Sequence, residues 1–108
     1  MNFALNIICR NDILEEKAGA VNDLLVRLGI KAEAIPELYW KDPRLSQIAF
    51  GTELENPDFN IIKERLSHIA GTEVSLSVSL DEWEFSHYVS IEKLVSGENT
   101  AFIVCNVF

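Results

Sequence analysis

Apolar and polar positions along this chain alternate, shift to helical spacing, and alternate again. Over residues 3–9, Phe3, Leu5, Ile7 and Cys9 fall on one face and Ala4, Asn6 and Ile8 on the other, which predicts a strand. Asn11-Asp12 breaks it. Asp12 with Glu15 forms a capping-box pattern, and Leu14, Ala18, Val21, Leu25 and Leu28 follow at helical spacing, with Leu24 widening the stripe. Gly29 sits where a C-terminal cap belongs. Residues 32–40 contain Pro36, which excludes a central strand and leaves an edge strand or an irregular segment.

Lys41-Asp42-Pro43-Arg44 reads as a turn, and residues 45–53 as a strand with Ser46, Ile48, Phe50 and Thr52 on one side. Asn56-Pro57 predicts a helix start, with Asn56 as N-cap and Pro57 at the first helical position. Phe59, Ile62, Leu66, Ile69 and Ala70 form its apolar stripe, and Gly71 ends it. Val74, Leu76, Val78 and Leu80 then alternate with Ser75, Ser77 and Ser79, the pattern of a half-buried antiparallel strand with one wet face. Residues 83–91 and 101–108 are the remaining predicted strands, joined by a loop at Ser96-Gly97-Glu98-Asn99.

The order β-α-β-β-α-β-β-β predicts one α+β domain over residues 1–108. Its sheet is mainly antiparallel, and both helices pack on one face. The first six elements match a split β-α-β layout of ferredoxin-like type. At 108 residues and 48% hydrophobic content, such a chain has enough apolar material for a core without disulfides or metal. Cys9 and Cys105 each lie in an apolar run and read as reduced core thiols. A bridge between them requires the first and last strands to be neighbours. The N-terminus lacks a basic region, and no apolar run approaches the ~20 residues of a membrane span, so the expected location is the cytoplasm.

Charge adds an asymmetry that the pattern of elements does not show. Five of the eight net negative charges fall between Glu73 and Phe108, where Glu73, Asp81, Glu82, Glu84, Glu92 and Glu98 face one base, Lys93. Asp81-Glu82-Trp83-Glu84 places three carboxylates around an indole. Other acidic groups, Glu15-Glu16 and Glu53/Glu55/Asp58, flank helix starts, where acids are expected. His68 lies off its helical stripe. His87 lies on a strand beside Tyr88 and close in sequence to the acidic block, where a carboxylate would raise its pKa. Tyr39-Trp40 adds a second aromatic pair next to charge.

No nucleophile–base pair, metal-spaced set or glycine-rich phosphate loop is present, so no cofactor and no metal are expected. The dispersed bases argue against nucleic acid, and the acidity against an anionic membrane. An acidic surface with aromatic anchors suits a basic protein partner, with Asp81, Glu82, Trp83, Glu84, His87, Tyr39 and Trp40 as candidate contacts. In size, acidity and the segment Asp81-Glu82-Trp83-Glu84-Phe85, the chain resembles the small acidic immunity proteins of bacterial polymorphic toxin systems, including those of contact-dependent growth inhibition. That resemblance implies a cognate toxin as partner, often a nuclease, with no catalysis and no cofactor. A competing reading, by fold analogy, is a small-ligand-binding, regulatory or enzymatic ferredoxin-like domain, dimeric through its sheet.

Overall fold

A computed structural model describes residues 1–97 and 99–108. Its elements run β1 (Asn2–Arg10), a 3-10 turn (Asn11–Ile13), α1 (Leu14–Arg27), β2 (Pro36–Leu38), β3 (Leu45–Glu53), α2 (Phe59–Ala70), β4 (Ser75–Ser79), β5 (Glu82–His87), α3 (Ile91–Ser96) and β6 (Ala101–Val107). The strands form one six-stranded sheet in the order β2-β3-β1-β6-β5-β4, with every neighbouring pair antiparallel. The α+β class and the mainly antiparallel sheet are as the alternation predicts.

Registry fixes the two faces. Ile7 lies opposite Ile48 and Ile103, and Leu5 opposite Phe50 and Cys105, so Phe3, Leu5, Ile7 and Cys9 share a face with alternate residues of β3 and β6. That face meets Val21, Leu24 and Leu25 of α1 and Ile62, Leu66 and Ile69 of α2 in one buried cluster. Both apolar stripes therefore pack on the same side, and each fully buried Leu or Ile contributes ~1.5–3 kcal/mol relative to exposure.

Several local expectations give way to other contacts. The split β-α-β arrangement holds around α1, whose flanking strands β1 and β2 run parallel with β3 between them, but the strand after α2, β4, goes to the far edge of the sheet and β6 takes the place beside β1. Asp12 does not cap α1. Its carboxylate lies 3.0 Å from Arg10 Nε, and a 3-10 turn starts the helix instead. Asp58, not Asn56, caps α2, accepting from the Asn60 and Ile61 amides. Gly71 ends α2 at φ 75, the left-handed region that costs glycine little.

The strand predicted over residues 83–91 stops at His87, because Ser90 caps a third helix by accepting from the Lys93 amide. Leu94 of α3 joins Ile8 and Leu45 in a small cluster on the opposite sheet face. That face is therefore covered at one end and open elsewhere. Of the loop predicted at residues 96–99, Ser96 ends α3 and Glu98 lies outside the described residues. Pro36–Leu38 forms the expected short edge strand.

Cys9 and Cys105 sit on neighbouring strands but face Ala101 and Leu5 respectively. That four-residue offset spans ~13 Å along a strand, beyond disulfide reach. Both are buried free thiols.

Candidate functional site

The β4–β5 hairpin occupies the edge of the sheet opposite β2. Ser79 pairs with Glu82, so Leu80-Asp81 is a two-residue turn. Such turns favour Gly or Asn because they demand positive φ. Here Leu80 takes φ 51, and its side chain is 97% exposed. A γ-branched apolar residue in that conformation is both strained and wet.

The alternating row that predicts a buried face is buried only at its start. Val74 is 2% exposed, whereas Leu76 is 39% and Val78 53% exposed. The strand projects past the helices, and all five of its residues are exposed. Sequence alternation identifies which residues share a face but not how far the covering helices extend, so this apolar edge escaped the sequence reading.

The acidic block divides between two faces. Trp83 and Phe85 share the helix side, opposite Val107 and Cys105. Trp83 stacks on Phe59 with ring centroids 4.0 Å apart and is half-buried, which ties it to the core margin. Glu82 and Glu84 point to the open side with Ser77 and Ser79. Glu84 accepts from the Tyr88 hydroxyl at 2.6 Å, and that bond raises the phenol's pKa. Among the described residues, the carboxylates of Asp81 and Glu82 engage in no hydrogen bond or ion pair. Glu73, before β4, reaches Lys63 at 3.0 Å.

The other sequence candidates lie elsewhere. His87 faces the helix side beside the end of α2, in a cleft of about 330 Å³ with Thr72, Tyr88 and Lys93. Glu84 projects from the opposite face, so the acidic block does not adjoin the imidazole as expected. Tyr39 and Trp40 occupy the β2–β3 turn at the far edge of the sheet, five strand spacings or ~24 Å from β4. Trp40 is 80% exposed and lies under the Lys41 ammonium, 5.0 Å from the ring centroid. Asp42 holds this turn by accepting from the Arg44 amide, Nε and Nη2, bonds that hold its carboxyl at about 2. The seven candidates thus fall into three places: the hairpin, the His87 cleft and the Tyr39-Trp40 turn.

Lys17 is a further polar residue that sequence reading passed over. It is 4% exposed, and its Nζ donates to the Ile69 carbonyl at 2.8 Å, near the negative end of the α2 dipole. Its position four residues before Val21, on the apolar stripe, was the available signal. A cleft of about 280 Å³ beside it, between α1 and α2, is bordered by Glu16, Asp23, Arg65 and His68. Among the described residues, no group of three His, Cys, Asp or Glu side chains is placed to hold a metal ion. No described helix is long and apolar enough to cross a membrane. Compared with known proteins, the chain matches no family model, no curated protein and no solved structure.

Proposed function

We propose that this protein is a non-catalytic inhibitor that binds and masks a basic protein, as a bacterial immunity protein masks its cognate toxin in the cytoplasm. The observation that carries this reading is the β4–β5 hairpin. It combines a strained, fully exposed Leu80 with the carboxylates of Asp81 and Glu82, which are unpaired among the described residues. Strain at an exposed turn costs stability without any described intramolecular return, the usual mark of a functional segment. An apolar tip ringed by acids fits a desolvated pocket bordered by Lys or Arg. The tip then governs the off-rate, and the rim charges steer the encounter. The net charge of −8 extends that steering over the whole molecule.

The test is affinity capture from native cells on wild-type protein and on the Asp81→Lys/Glu84→Lys variant, compared by quantitative mass spectrometry. The expected result is a basic protein that is retained by the wild type, eluted by salt and lost from the variant. Co-expression with the wild type should relieve that protein's toxicity. Equal capture by both baits would place the interface away from the hairpin.

A further inference from the structure

The two edges of the sheet are finished differently. The β2 edge is three residues long, starts with Pro36 and carries Glu37, all devices that discourage pairing with another strand. The β4 edge, Ser75–Ser79, carries no charge and no proline, and it pairs with β5 in unbroken register with no bulge. Counting from the turn-closing pair Ser79–Glu82, residues 75, 77 and 79 exchange hydrogen bonds with β5. The N–H and C=O groups of Leu76 and Val78 therefore point outward from the sheet.

We infer that β4 accepts an extended segment of the basic partner as a seventh, edge strand. This inference rests on the inhibitor reading above and adds its binding mode. The chemistry of the incoming strand follows from the two faces. On the helix side its side chains meet exposed Leu76 and Val78, which favours apolar residues at alternate positions. On the open side they meet Ser77 and Ser79, small residues that leave room for a long side chain to lie across them. Glu84 and Glu82 are the β5 partners of those serines, two strand spacings or ~10 Å from the new strand and within reach of Lys or Arg. The segment is thus an alternation of apolar and basic residues.

A second copy of this chain fits poorly. Docked antiparallel about Ser77, it would bring Glu73 towards the Asp81 of the second copy just beyond both ends of the ladder. Lys63 offsets only Glu73, and like charges brought together across strands oppose pairing. Each copy also carries a net charge of −8.

The probe is a synthetic hexapeptide of alternating lysine and valine, acetylated and amidated. Two controls accompany it: the same composition in blocks, and the alternating peptide N-methylated on the amides of one edge. Calorimetry and amide hydrogen exchange read the outcome. The alternating peptide should bind at least tenfold more tightly than either control. It should also slow exchange at Leu76 and Val78 at least tenfold while leaving the β2 edge unchanged.

Equal binding of the N-methylated peptide would overturn strand addition while leaving the acidic surface in place as a binding site. Binding of the alternating peptide unaffected by Glu82→Lys/Glu84→Lys would contradict the acidic-surface reading as well. No binding of the alternating peptide at millimolar concentration also overturns strand addition. So does dimerisation of the free protein through β4 at micromolar concentration, detected by sedimentation. The variant Val78→Pro blocks an outward-facing N–H and leaves the β4–β5 bonds intact, so it should abolish peptide binding with the fold retained by circular dichroism.

Discussion

At Leu80 the chain holds a branched side chain at φ 51 and leaves nearly all of it in water. The left-handed conformation costs an ordinary L-residue ~1–2 kcal/mol, and glycine adopts it freely. Glycine also adds ~0.5–1 kcal/mol of unfolded-chain entropy. Leu80→Gly should therefore stabilise the protein by ~0.5–1 kcal/mol in urea unfolding and weaken partner binding at least tenfold. Stabilisation with binding unchanged would make the turn a mere imperfection.

The thiols give a second prediction at this scale. Burial pushes Cys9 up from its ordinary 9.0 to about 11, an effect that nearby Lys17 opposes, and burial alone pushes Cys105 up to about 12. The native protein keeps both thiol protons at a pH where the unfolded chain has shed them. The stability they support is complete below pH 9 and is lost as pH climbs through about 11 for Cys9 and about 12 for Cys105. Native protein at pH 8 should resist iodoacetamide until denaturant is added. Rapid labelling under native conditions would place a thiol at the surface.

Among the elements, the two long helices and the strands β1, β3 and β6 are legible in the sequence because each repeats its period over several turns or pairs. Leu25, fully buried in α1, should lose ~2–5 kcal/mol on Leu25→Ala. Helix α3 has no such repeat. Its six residues leave only Ser90 and Leu94 as signals, and the β-branched and aromatic residues before it read as more strand. Leu94→Ala should still cost ~2–4 kcal/mol, because Leu94 closes the small cluster with Ile8 and Leu45. Ser90→Ala should cost ~1 kcal/mol by removing the cap. Urea unfolding with less than ~0.5 kcal/mol of change in both would mean that α3 contributes nothing to the fold. The apolar row of β4 was legible as a face and illegible as a surface. Whether Leu76 and Val78 are covered depends on where α2 lies, which local pattern does not encode.

Across the whole molecule, strand order decides which sequence candidates share a surface. Asp81, Glu82 and Glu84 gather on one hairpin. Trp83 turns inward onto Phe59, and Tyr39 and Trp40 are carried to the opposite edge. Sequence proximity grouped the acids correctly because they lie on one strand and its turn. It had no means of placing the β2–β3 turn relative to them.

The acidity then acts at long range. Association with a basic partner should slow as salt rises, since screening sets in over ~8 Å at physiological ionic strength, whereas dissociation governed by Leu80 should change little. The most direct measurement is site-specific photo-crosslinking in native cells, with benzoylphenylalanine in place of Leu80 in one strain and of Trp40 in another. The account predicts a crosslink from position 80 to a basic protein, none from position 40, and loss of the first when Asp81 and Glu84 are reversed in charge. A crosslink from position 40 alone would contradict it and move the interface to the other edge of the sheet.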